Sequence, residues 1–295
     1  MTSTRFLPNP MFLAIGLVCA SITTAQVPKE STKTDPGSAS ALTEQAVESS
    51  SKSCCAEAIE GYKRSLQATP NDGIVYNNLG VAYANLKRFD EAFIAFKRAI
   101  ELRPDIANGY YNLGRTYGET GRYFEALKEL NHAVKVAPAF YLARVEMCGT
   151  ELALARNEEA VSCYNTLLKL APQNAETRSN YGFALIRTGK YKLAITTLEE
   201  TVRLFPDYTG AYSNLGSAFI KTEQYVRALT VLHRALALEP EHEAARYNIA
   251  LAHLALQNKS AALEQYAILK RGNASSAKAL YKLIFSKWIL SAKPQ

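Results

Sequence analysis

The chain of 295 residues lacks most of the features that mark chemistry. It has five cysteines and four histidines, but no Cys-x-x-Cys pair and no Cys/His ligand spacing, so nothing supports a structural zinc site. His132, His233, His242 and His253 are scattered, and none has a carboxylate partner four residues on. They read as surface or internally satisfied residues. No nucleophile–base pair stands out, so no catalytic residue, no metal and no cofactor are expected. Gly182 to Lys190 superficially suggests a phosphate loop, but the spacing is wrong and Tyr191 follows the lysine where Ser or Thr is needed. The net charge of +7 is spread thinly, without a run of five or six basic residues, which argues against nucleic acid as partner.

Long apolar runs are also missing. The longest, Met11 to Ala20, follows Arg5 and precedes small and polar residues ending in Thr23-Thr24-Ala25. It is about half the ~20 residues a membrane span requires. The pattern therefore predicts a secretory signal peptide over 1–25, and with it a secreted or periplasmic protein without a stable transmembrane span. Cys19 suggests lipoprotein anchoring, but Gly16, Leu17 and Val18 before it fit that signal poorly.

Residues 26–53 are mainly Ser, Thr, Ala, Lys and Glu with Pro28 and Pro36. Such a stretch buries too little apolar surface to offset its ordering entropy, and reads as a flexible linker. Adjacent Cys54 and Cys55 end it; bonding to each other would be strained, so a free pair or an intermolecular bridge is expected.

Beyond that point the sequence repeats. Pro70, Pro104, Pro138, Pro172, Pro206 and Pro240 stand 34 residues apart. Tyr76-Asn-Asn-Leu-Gly-Val-Ala-Tyr83 returns as Tyr110-Tyr-Asn-Leu-Gly-Arg-Thr-Tyr117 and Tyr212-Ser-Asn-Leu-Gly-Ser-Ala-Phe219. A fixed period of this size marks stacked supersecondary units. Each unit carries two apolar stripes at helical spacing, for example Tyr76, Leu79, Gly80 and Tyr83, then Phe89, Ala92, Phe96 and Ala99. Gly80, Gly114, Gly182 and Gly216 lie 24 residues before a proline, and Ala92, Ala126, Ala160, Ala194 and Ala228 lie 12 before. A mid-helix glycine costs about 1 kcal/mol relative to alanine, so its recurrence points to close approach of two helices. The hydrophobic fraction of 48% is ample for such a core.

This combination resembles the tetratricopeptide repeat family over about residues 56–276. The resemblance implies an all-α fold, a right-handed α-α superhelix of about six full and one partial helix-turn-helix units (54–276), closed by a capping helix and tail (277–295). Its concave groove is implied to hold a peptide or a segment of another protein. Two units depart from the pattern: the third, with Arg144, Met147, Cys148 and Glu151, and the last, with Arg246, Ile249, Ala250, His253 and no closing proline. Local packing is expected to be weakest there. Cys148 and Cys163 fall in the two helices of the third unit; a disulfide between them, worth about 3 kcal/mol, and two separate buried thiols are both open readings.

One polar series runs beside the core. Asn78, Asn112, Asn180, Asn214 and Asn248 all lie 26 residues before the proline position, broken only by Glu146. Each points about 100° away from the neighbouring core residue. A carboxamide offers donor and acceptor, matching the peptide group of an extended chain. The arrangement is similar to the asparagine ladder of the O-linked N-acetylglucosamine transferases, with no transferase domain attached. Arg115, Arg187 and Lys221 share that face and give it a basic cast, diluted by Glu119, Glu146 and Glu176. The alternative is that each Asn bonds a neighbouring helix.

The reading that follows is an exported, non-enzymatic adaptor or scaffold for another protein or extended peptide. Competing readings are an α/α-toroid-like carbohydrate-active enzyme, which needs two convergent carboxylates, an accessory subunit of a cell-envelope enzyme complex, and an RNA-binding helical repeat. In the capping segment 277–290, Tyr281, Phe285, Trp288, Ile289 and Leu290 either wrap the core end or leave an exposed patch for self-association or partner docking.

Overall fold

A computed structural model describes residues 52–272 and 274–291. The expected signal peptide, all but the end of the expected linker, and the last four residues lie outside the described residues. Among the described residues there are fourteen α-helices and no strand. Helix α1 (Lys52–Ala68) opens two residues inside the segment expected as linker. The helix pairs that follow are α2 (Gly73–Asn85) with α3 (Phe89–Leu102), and α4 (Ala107–Glu119) with α5 (Tyr123–Val136). Next come α6 (Tyr141–Ala153) and α7 (Asn157–Leu170), then α8 (Ala175–Arg187) with α9 (Tyr191–Leu204). Last are α10 (Thr209–Lys221) with α11 (Tyr225–Leu238), α12 (Glu243–Ala255) with α13 (Lys259–Gly272), and α14 (Ala274–Ser291). The 34-residue period is thus a period of helix pairs, as the sequence predicts.

The described residues form two compact units, one ending at Arg156 and the other starting at Asn157. The division falls between the two helices of the third repeat, one of the two whose sequence pattern departs from its neighbours. The N-terminal unit is built on Ile59, Tyr62, Val75, Leu79, Tyr83, Phe96, Leu113 and Tyr117. The C-terminal unit is built on Leu185, Leu198, Leu215, Phe219, Leu232 and Ile249, with a terminal cluster of Tyr247, Leu269, Leu280 and Ile284.

The recurring glycines sit where first and second helices of a pair touch. A Cβ at Gly80 would lie 2.6 Å from the Phe96 ring, and one at Gly182 would lie 2.5 Å from Leu198 Cγ. Gly114 faces Leu130 and Gly216 faces Leu232 in the same way. Each large partner fills the space the missing methyl leaves, so even alanine here overpacks the pair and costs about 1–3 kcal/mol.

The break between paired helices is the same structure six times over. The residue at the break has positive φ: Lys87 (59°), Gly121 (76°), Ala155 (57°), Gly189 (78°), Glu223 (60°) and Gln257 (60°). The following amide closes back over the helix end, Arg88 N to Tyr83 O at 2.9 Å, Arg122 N to Tyr117 O at 2.8 Å and Gln224 N to Phe219 O at 2.8 Å. The break residue's own amide reaches back three residues instead of five, as from Lys87 N to Ala84 O at 2.8 Å. These paired bonds satisfy carbonyls that the helix end would otherwise leave open. Glycine reveals this turn at only two of the six places.

The proline end of each repeat carries a second device. Tyr212 donates its hydroxyl hydrogen to the Pro206 carbonyl at 3.2 Å. Arg144 reaches the Pro138 carbonyl through Nε (3.0 Å) and a terminal nitrogen (2.9 Å), Arg178 reaches that of Pro172 at 2.7 Å, and Arg246 reaches that of Pro240. Arg144 and Arg246, which read as defects in the aromatic pattern, therefore tie the start of their helix to the preceding turn just as the tyrosine does. A guanidinium is a charge-assisted donor and makes this bond at least as well as a phenol.

At the C-terminus α14 packs on the last pair through Ala277, Leu280 and Ile284, which are buried and were not singled out in the sequence. Tyr281 stays 47% exposed, its ring tilted against that of Phe285 at 4.3 Å between ring centres. The side chains of Trp288, Ile289 and Leu290 lie outside the described residues.

Candidate functional site

The asparagine series falls on the first helices of the pairs, which pack side by side within each unit: α2 beside α4, then α8 beside α10 and α10 beside α12. All five asparagines are half-buried. Leu79, Leu113, Leu215 and Ile249, the next residues along, are buried, so the core fixes the angle at which each carboxamide leaves its helix.

In the N-terminal unit, Asn112 Nδ2 donates to Asn77 Oδ1 at 3.0 Å, and Asn77 Nδ2 donates to Asn78 Oδ1 at 3.4 Å. The two series members are thereby joined through a third asparagine. Arg115 lies one turn beyond Asn112 and pairs with Glu119 at 3.7 Å, while its Nε is enclosed without a hydrogen-bond partner. Tyr111 packs at a tilt against Phe140 (5.1 Å), and burial, with Glu146 nearby, pushes its hydroxyl pKa up.

In the C-terminal unit, Asn214 Nδ2 donates to Ser179 Oγ at 2.9 Å and to the Ser179 carbonyl at 3.2 Å. Asn180 and Asn248 occupy the same repeat position on α8 and α12. Burial lowers the pKa of Arg187 in the last turn of α8, and Lys221 ends α10 exposed. Tyr208, at the head of α10, has its hydroxyl pKa pushed up to about 12 by burial and by Glu176 and Glu239.

Asn112 and Asn214 thus share one geometry. Each donates a hydrogen bond to the side chain 35 residues earlier, at the position just before the previous repeat's asparagine. For Asn112 this takes one N–H and leaves Oδ1 and the second N–H for other partners, whereas Asn214 spends its amino group on both Ser179 acceptors and keeps Oδ1. It is the neighbouring-helix bond of the alternative reading, and it also holds the carboxamide in a fixed rotamer. Asn77 and Ser179 were not singled out by spacing. The signal was the polar residue standing immediately before Asn78 and before Asn180.

The remaining candidates lie outside the asparagine series. Cys148 is buried on α6, Cys163 is half-buried on α7, and Cys55 is a buried free thiol on α1. His242 Nδ1 accepts the amide of Ala245 (3.2 Å) at the start of α12, and His132 packs on Tyr110. Among the described residues no three His, Cys, Asp or Glu side chains gather as a metal site would need. No described helix is long and apolar enough to cross a membrane.

The pattern of the tetratricopeptide repeat matches residues 74–106 and 105–250. The chain belongs to the tetratricopeptide repeat family. Solved structures agree on the fold. A tetratricopeptide repeat protein from Parabacteroides merdae aligns with TM-score 0.71 at 17% identity, over 84% of this chain and 98% of its own. YrrB, described as a TPR protein with an unusual peptide-binding site, aligns with TM-score 0.54 at 21% identity over 63% and 96%. PilF of Pseudomonas aeruginosa aligns with TM-score 0.57 at 17% identity over 72% and 97%. Among curated proteins no significant match is found. The repeat array of this family is a scaffold for protein interaction, and that much holds for this chain.

Proposed function

We propose that the protein is an exported, non-enzymatic scaffold that holds an extended segment of another polypeptide. Each unit offers such a segment its own asparagine-bearing first helices, with Asn78 and Asn112 in the N-terminal unit and Asn180, Asn214 and Asn248 in the C-terminal unit. The observation that carries this is the shared bond from Asn112 to Asn77 and from Asn214 to Ser179. A carboxamide already fixed in its rotamer binds a peptide group without losing further side-chain entropy. The unused Oδ1 of Asn112 and Asn214 accepts a ligand N–H, and the second N–H of Asn112 meets a ligand carbonyl. Arg115, Arg187 and Lys221 favour a segment with acidic side chains or a terminal carboxylate. YrrB supports the reading as a protein of the same fold with a peptide-binding site.

Affinity capture from the native compartment tests it, with wild type beside Asn112→Ala/Asn180→Ala. A partner retained by wild type and lost from the variant, with unchanged thermal melts, is the expected result. A partner retained equally by both removes the asparagines from the account.

A further inference from the structure

The last helix carries a charge pattern that the peptide-binding reading does not use. After Glu264 the chain has no Asp or Glu, yet it has Lys270, Arg271, Lys278, Lys282, Lys287 and Lys293. On α14 the buried stripe of Ala277, Leu280 and Ile284 is spent on the core. Lys278 and Lys282, one turn apart on the outer side, are exposed. Tyr281 (47% exposed) and the partly buried Phe285 flank them on one side, and Leu283 (38% exposed) on the other. Tyr266 of α13 extends the aromatic row, 5.7 Å from Tyr281.

We infer that the outer face of α14 docks on an anionic membrane surface as an interfacial helix. Lysines beside tyrosine and phenylalanine suit the boundary between headgroups and acyl chains, where ammonium groups meet phosphates and the rings enter the interface. The attraction is electrostatic and adds up per lysine near an anionic leaflet. The same charge opposes pairing of two copies through this helix, since each brings lysines and no carboxylate to answer them. The face is a convex helix surface, better matched to a plane than to an inserted side chain.

The single tryptophan of the chain, Trp288, falls within α14, so its emission is a built-in readout. The full chain is mixed with phosphatidylglycerol vesicles and, separately, with phosphatidylcholine vesicles, beside Lys278→Glu/Lys282→Glu in the same chain. Both proteins share the N-terminal segment, so a difference between them belongs to α14. Expected are sedimentation with phosphatidylglycerol and a blue shift of Trp288, both lost near 0.5 M salt, roughly. The variant should bind at least about 10-fold more weakly while keeping the wild-type circular dichroism. Should the charge reversal unfold the helix, Lys278→Gln/Lys282→Gln serves instead, with the same direction expected. Equal binding to the two lipids, or a folded variant that binds phosphatidylglycerol as wild type does, overturns the inference. Binding to poly-L-glutamate without binding to vesicles overturns it too, in favour of an acidic polypeptide.

Discussion

The six identical breaks make a sharp prediction about two of them in the N-terminal unit. Gly121 and Ala155 occupy the same repeat position with φ of 76° and 57°. A Cβ built on Gly121 meets nothing within 4 Å, so Gly121→Ala adds no clash and isolates the backbone cost of left-handed φ. That cost is about 1–2 kcal/mol, reduced by roughly 0.5 kcal/mol because alanine has less unfolded-chain entropy to lose. Gly121→Ala should therefore destabilise its unit by about 1 kcal/mol. Ala155→Gly runs the exchange backwards and should stabilise by about 0.5–1 kcal/mol. Both effects correspond to melting shifts of about 2–4 °C in opposite directions for a chain of this size. Urea melts followed by circular dichroism, read as midpoint shifts of the transition each variant moves, give both numbers. If both substitutions leave the midpoint unchanged, or if Ala155→Gly lowers it, the breaks are not the strained, carbonyl-closing turns described above.

Two further outcomes follow from particular side chains. Denaturing alkylation with intact-mass measurement under non-reducing conditions should modify Cys55 but neither Cys148 nor Cys163, as a bridge in the third repeat requires; two alkylated thiols there remove it. Burial, and after it the nearby His233, hold the His253 imidazole below its ordinary pKa, against a smaller opposing pull from Glu264. A base whose folded pKa is depressed contributes stability above its ordinary pKa and loses it as pH falls through that value. Thermal melts should thus weaken from pH 7 towards pH 5, and His253→Gln should flatten that slope; an unchanged slope excludes His253 as its source.

Most of the fold is legible in the sequence because repetition multiplies weak signals. One glycine in a helix says little, but four at the same distance from a proline specify a helix contact, and Phe96, Leu130, Leu198 and Leu232 are found against them. The turns are only partly legible. Lys87, Ala155, Glu223 and Gln257 adopt left-handed φ through closure of the helix end, which no residue preference reveals. Arg144 and Arg246 mislead for a different reason. The aromatic position is read by shape, whereas a bond to the proline carbonyl is what the arginines reproduce.

At the candidate site the line of asparagines is legible and its support is not. Which side chain meets Asn112 depends on how far one first helix is shifted along the next. Sequence spacing alone does not give that offset. Asn77 and Ser179 emerge only from the packed helices.

The asparagine faces are tested most directly by affinity. Peptides selected from a random display library against the wild-type chain are titrated calorimetrically into wild type, Asn112→Ala/Asn180→Ala and Asn77→Ala. Two hydrogen-bonding carboxamides at about 0.5–1.5 kcal/mol each predict a loss of roughly 5- to 150-fold in the double variant. Asn77→Ala, which frees the rotamers of Asn112 and Asn78 but removes neither carboxamide, should fall between it and wild type. Equal affinity in all three proteins, with melts unchanged, would contradict the account.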